Sequence, residues 1–118
     1  MRVFVYRNLH RQTWSVKALE GPDKGRVIAR SDHVLLTNAA GKVSEVGRQR
    51  VIREKRKNVH AGIVGELSSL DPQAFTGSTI TYNPYKYDSF VHTGSEARFE
   101  GSKSAYLTGT QVLVGGKI

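Results

Sequence analysis

Two clusters of side chains in this sequence carry usable chemistry, and both suit a ligand that is phosphate-bearing and aromatic. Between Ser44 and Lys57 stand Arg48, Arg50, Arg53, Lys55, Arg56 and Lys57, against only Glu45 and Glu54. That short stretch holds a local excess of +4 out of the chain's net +8. Arginine's planar fork matches phosphate oxygens, and lysine adds a compact point charge. A merely solvated charged helix would balance its cations with acids at i,i+4, and the acids here are too few for that. The second cluster is Thr81 to Phe90, where Tyr82, Tyr85, Tyr87 and Phe90 are interleaved with Asn83, Lys86 and Asp88. Aromatic faces stack on bases, and Asn or Asp can read a base edge or a ribose hydroxyl. A half-buried strand also favours tyrosine, so composition leaves both readings open for this segment.

Catalytic patterns are absent from the sequence. His10, His33, His60 and His92 are not spaced as an HxxxH pair. There is no GxSxG, phosphate-loop or GxGxxG motif. His60 or His92 could act as a base only in a site assembled by the fold. The expectation is a binding protein with no catalytic residue, no metal and no cofactor.

Composition sets the frame for these clusters. The chain has 118 residues, the size of a single domain spanning 1–118, and 38% of them are hydrophobic, enough for a modest core. Its pI near 10.1 favours anionic partners: nucleotides, nucleic acid or an acidic membrane surface. No cysteine is present, which excludes disulfides and thiolate zinc sites. No apolar run approaches the ~18 residues of a membrane span, and the opening Met1-Arg2-Val3-Phe4-Val5-Tyr6 reads as a strand instead of a leader. A soluble, cytoplasmic protein without a membrane partner is expected.

The elements that must position these residues follow from local patterns. Residues 2–9 and 14–19, rich in β-branched and aromatic side chains, predict a hairpin. Gly21-Pro22-Asp23-Lys24-Gly25 is a turn signal. Arg26–Ala29 and His33–Asn38 predict two further strands, with Asn38-Ala39-Ala40-Gly41 as the next break, so the first forty residues read as an antiparallel meander. Ser44 is a candidate N-cap for a helix over Glu45–Lys57 that stops at Asn58, with Gly47 its weak point. On that helix Arg50, Arg53 and Lys57 share a stripe, and no clean apolar face remains, so it needs a partner subunit or a polyanion. Residues 60–67 read as a strand or short helix, Thr79–Thr93 as extended chain bent at Pro84, and Tyr106–Val114 as a last strand. The fold class is α+β: an antiparallel N-terminal β-sheet, a central basic helix and a C-terminal β-rich segment.

The run Val43-Ser44-Glu45-Val46-Gly47-Arg48-Gln49-Arg50-Val51-Ile52-Arg53-Glu54-Lys55-Arg56-Lys57-Asn58-Val59-His60-Ala61 resembles the central signature of the phage Thoeris anti-defence one family. The opening Arg2-Val3-Phe4-Val5-Tyr6-Arg7-Asn8-Leu9 and the later Tyr82-Asn83-Pro84-Tyr85-Lys86-Tyr87-Asp88 are similar to it as well, so the likeness spans nearly the whole chain. It implies a signal sponge in the cytoplasm of an infected bacterium. Such a sponge binds cyclic ADP-ribose isomers without cleaving them, and so blocks activation of the Thoeris effector. It also implies dimers assembling to a hexamer with pockets between subunits, and for some members separate sites for cyclic trinucleotides of CBASS defence.

Carried onto this sequence, the family's aromatic–asparagine–arginine pocket falls on Phe75, Asn83 and Arg98, with Lys103 as a second cation. Tyr82 or Tyr85 is the alternative stacking residue, and Asp88 a further polar contact. Only one arginine follows Asn83, where the family pattern has more. The cyclic oligonucleotide site falls on Arg56 and Lys57, with Arg50 and Arg53 beside them. The competing reading is a small basic RNA- or DNA-binding module.

Overall fold

The computed structural model describes residues 1–8 and 10–116. Leu9, the last residue of the first predicted strand, lies outside them. The elements are β1 (Arg2–Arg7), β2 (Trp14–Ala18), β3 (Val27–Ser31), β4 (His33–Val43), α1 (Glu45–Glu54), β5 (Ala61–Ser69), β6 (Ser78–Thr81), β7 (Val91–His92), β8 (Ser102–Thr108) and β9 (Gln111–Gly115). Among the described residues, all nine strands belong to one antiparallel sheet in the order β3-β2-β1-β5-β4-β8-β9-β6-β7. The coarse class is thus a mostly antiparallel β-sheet with one short helix.

Register explains the core. Directly opposed residues in a sheet point to the same face. Val5 opposes both Val16 and Ile63, Val34 opposes Leu107, Leu36 opposes Ala105, and Val112 opposes Leu107 and Ile80. Every one of these is buried and belongs to a single apolar cluster, joined by Val3, Trp14, Phe99 and Val114. One face of the sheet therefore supplies the core. Because only Asp32 separates β3 from β4 while β2, β1 and β5 lie between them in the sheet, that part must roll up until its ends meet at this corner. The Ser31 hydroxyl fastens the corner by donating to the Leu70 carbonyl at 3.2 Å.

The expected meander holds for β1, β2 and β3 but not for β4, which pairs with β5 and β8 instead. Nor does Asn38–Gly41 break the chain. It is a β-bulge inside β4, where Asn38 takes a φ of 51° and the register with β5 shifts. Gly65 makes room for it, since a Cβ there would stand 2.9 Å from the Thr37 carbonyl oxygen. The segment 79–93 is extended only in β6 and β7, with a turn at 84–86 between them. The single last strand is in fact the hairpin β8–β9, turning at Gly109-Thr110.

The helix begins as its sequence dictates: Ser44 Oγ accepts from the Gly47 N–H at 3.2 Å. It ends earlier than Asn58. Lys55 turns left-handed at a φ of 56°, and its N–H caps the Val51 carbonyl. Arg56 and Lys57 thus leave the helix, and the expected stripe of Arg50, Arg53 and Lys57 does not form. Of its apolar residues Val51 alone is buried, while Val46 is 84% exposed.

Candidate ligand-binding site

The last turn of α1, the residues leading into β5, and the turn after β6 converge beside the end of β1. They enclose an open cleft of about 640 Å³ lined by Arg7, Lys55, Lys57, Asn58, His60, Tyr82, Asn83 and Tyr85, among others. Each arrives for a local reason. Arg7 continues the inward row Val3, Val5 by one more strand repeat, so it sits where the core face reaches the open end. Its guanidinium carbon lies 5.5 Å from the Trp14 ring, the residue it opposes across β1 and β2. Lys55 is aimed by the left-handed cap, and Lys57 follows in the irregular link to β5.

The aromatic wall is held by a short polar chain. His60 Nδ1 lies 2.7 Å from the Asn58 carbonyl oxygen and must donate to it. Its Nε2 then accepts the Tyr82 hydroxyl at 2.6 Å. Burial raises the Tyr82 phenol above its ordinary value, so the donor stays protonated. Tyr82 also packs on Phe90, with centroids 5.3 Å apart. Asn83 shapes the turn: its Oδ1 accepts from the Tyr85 N–H at 2.9 Å, and its carbonyl accepts from Tyr87 N–H at 2.8 Å. Tyr85 is left 57% exposed at the rim.

Arg48 braces this turn from the helix side. Its Nε donates to the Pro84 and Tyr87 carbonyls at 2.9 and 2.8 Å, and its Nη1 pairs with Glu45 at 2.8 Å. Hydrogen bonds from Gln49 and Arg48 hold the Glu45 carboxyl below its usual range. Arg48 therefore belongs to the scaffold and is not a free cation.

Charge is distributed unevenly. Glu54 lies 3.2 Å from Arg50 and 3.8 Å from Arg53, Glu96 pairs with Lys86, Glu100 with Arg98, and Glu66 with the N-terminal ammonium. Among the described residues, no ion pair involves Arg7, Lys55 or Lys57. Among the described residues, the cleft lining combines these three cations with no carboxylate.

Of the residues singled out from sequence, the cleft gathers Tyr82, Asn83, Tyr85 and Lys57. Asp88 and Arg98 line a separate hollow of about 420 Å³ with Lys86, Tyr87 and Glu96. There Tyr87 donates to Glu96, which lowers the Glu96 carboxyl and raises the Tyr87 phenol. Phe75 packs on Tyr106, 5.7 Å between centroids, and Lys103 lies against Gly116. Arg50 and Arg53 stand on the exposed helix face beside Val46. Arg56 is exposed and outside the cleft lining. The single chain thus divides the expected pocket. Sequence reasoning left out Arg7 altogether; it had Lys55 among the cations of the basic segment and His60 as a candidate base, and assigned neither to the pocket. The signal for Arg7 was present, as a charged residue in phase with two buried valines.

Beside the cleft lies a narrower chamber of about 250 Å³, which shares Arg7, Ala61, Thr81 and Tyr82 with it and is lined mainly by apolar side chains. Among the described residues no helix is long and apolar enough to cross a membrane. No solved structure matches this chain. The family model described as Mycobacterium phage L5 gene 82 protein matches residues 1–115. The Gene 82 protein of Mycobacterium phage L5 itself is 58% identical over 118 residues, covering 95% of this chain and 94% of the relative. With the match running almost from end to end, the chain belongs to the Mycobacterium phage L5 gene 82 protein family.

Proposed function

We propose that this protein is a non-catalytic sponge that captures a cyclic ADP-ribose isomer and withholds it from a Thoeris effector in the host cytoplasm. The observation that carries the reading is the cleft itself: Arg7, Lys55 and Lys57, free of ion pairs among the described residues, face a wall containing Tyr82 and Tyr85. Cations of that kind suit a pyrophosphate, and tyrosines suit a base. The phage family membership fits an anti-defence role. In this reading the protein works as an oligomer, dimers assembling to a hexamer. Phe75, Arg98 and Lys103 would then reach a pocket only from a neighbouring copy. The exposed Arg50, Arg53 and Arg56, on the basic helix and its exit, form the second site, for cyclic trinucleotides; Lys57, expected beside them, serves the first cleft instead.

The test is to mix excess protein with cyclic ADP-ribose isomers, filter, heat-denature the retained protein and analyse both fractions by mass spectrometry. Depletion of the filtrate and recovery of intact ligand on heating is the expected result. Recovery of hydrolysed product overturns sequestration in favour of an enzyme. Ligand left wholly in the filtrate, with RNA or DNA bound at low salt and released steeply as salt rises, overturns it in favour of a nucleic-acid module.

A further inference from the structure

The narrower chamber beside the cleft has features the outer site does not explain. It lies between β1 and β5 on one side and β6 and β9 on the other, and is walled by Ile63, Ile80, Phe90 and Val112, with Trp14 and Tyr82. Together with the cleft it falls within the ~300–1000 Å³ of small-molecule sites. Trp14 is 5% exposed, and its Nε1 is buried with no acceptor among the described residues. A buried donor left unpaired costs free energy. Over the indole lies the Arg7 side chain, which also lines the cleft.

We infer that the two spaces form one site of fixed polarity, in which the ligand's heterocycle enters the inner chamber against Trp14 and its phosphates stay outside on Arg7, Lys55 and Lys57. This rests on the nucleotide-binding reading above and deepens it. Arg7 is the hinge of the arrangement. A phosphate in the cleft draws its guanidinium outward, which uncovers the indole face for the ring. The apolar walls exclude a second phosphate from the inner chamber, so the reverse orientation is disfavoured by desolvation. Tyr82, common to both spaces and held by His60, marks the boundary between base and phosphate.

Calorimetric titration of the full chain with cyclic ADP-ribose and, separately, with inorganic pyrophosphate tests this. Two variants are compared with the wild type: Trp14→Leu, which removes the ring and its donor, and Ala61→Leu, which narrows the passage and leaves the core contacts in place. Both should weaken cyclic ADP-ribose by about tenfold or more, the scale of one lost base–aromatic stack. Pyrophosphate affinity should stay within about twofold, which also shows that the outer site is still folded. If Trp14→Leu does not fold, Ala61→Leu decides alone. Variants that bind cyclic ADP-ribose as the wild type does, or that lose both ligands in parallel, overturn the inference while the sponge reading stands. A wild type that binds no cyclic ADP-ribose overturns both.

Discussion

Replacing Gly47 by alanine sets helix propensity against packing, and the two predict opposite signs. In an exposed helix interior, Gly→Ala stabilises by about 1 kcal/mol, because alanine loses less backbone entropy. Gly47 is not exposed in that sense. A Cβ built on it stands 2.5 Å from the Cβ of His60 and 3.5 Å from the Ser44 Oγ that caps the helix. The atom it meets is fixed close to the β5 lead-in backbone, so it cannot swing away as a long side chain's tip would. Relief requires the helix to lift off that segment. Overpacking of this kind costs about 1–3 kcal/mol. Set against the propensity gain, Gly47→Ala should be net destabilising by about 1 kcal/mol. The midpoint of urea unfolding, at unchanged slope, reads this directly. The displaced His60 should also release Tyr82, so ligand affinity should fall with stability. A variant about 1 kcal/mol more stable than the wild type would refute the close approach of α1 to His60.

Arg48→Ala removes both bonds to the Pro84 and Tyr87 carbonyls, and should destabilise by about 1.5–3 kcal/mol in chemical denaturation. Arg48→Lys should restore only part of the loss, because a lysine has no second nitrogen to hold Glu45 while the first bonds the two carbonyls. Single alanine substitutions of Arg7, Lys55 and Lys57 should each weaken pyrophosphate about fivefold and reduce the salt dependence of binding, while Arg50→Ala, on the far helix face, should leave both unchanged in calorimetry. The Glu96 carboxyl is lowered chiefly by the Tyr87 hydroxyl, so its contribution is present above the ordinary carboxylate value and is lost as pH falls through the lowered one. Glu96→Gln should accordingly flatten the acid limb of the stability–pH profile, with Tyr87 resonances in NMR losing their acid-range shift.

What was legible in the sequence was local. The opening β-branched and aromatic run, the Gly21–Gly25 turn and the Ser44 cap each state their structure within a few residues, and each is found in place among the described residues. The helix end was not legible, because the left-handed cap falls on Lys55 and not on the glycine or asparagine that usually signals it. The Gly109-Thr110 turn hides in a run that reads as one strand. Sheet order was beyond local pattern, since it depends on the single residue Asp32 forcing β3 and β4 to meet around three intervening strands. The site divides in the same way. Tyr82, Asn83 and Tyr85 are neighbours in sequence and stay together in the cleft. Arg7 and Lys55 join them only through the rolled sheet. Arg48, similar to its neighbours by composition, is consumed by the scaffold because a turn remote in sequence offers it two carbonyls.

The pairing of β1 with β5 bears on how the chain reaches its native state. Partners such as Phe4 and Val64 lie about half the chain apart, and Val34 pairs with Leu107 farther still. Loops that long must close before either ladder gains a hydrogen bond, so folding should run on the millisecond-to-second scale of sheet proteins with non-local topology. The hairpins β1–β2 and β8–β9 can form early, each from adjacent residues. The roll that brings Arg7, Lys55 and Tyr82 together comes with the late, non-local steps, so capacity to bind should appear only as the last cooperative phase of refolding completes.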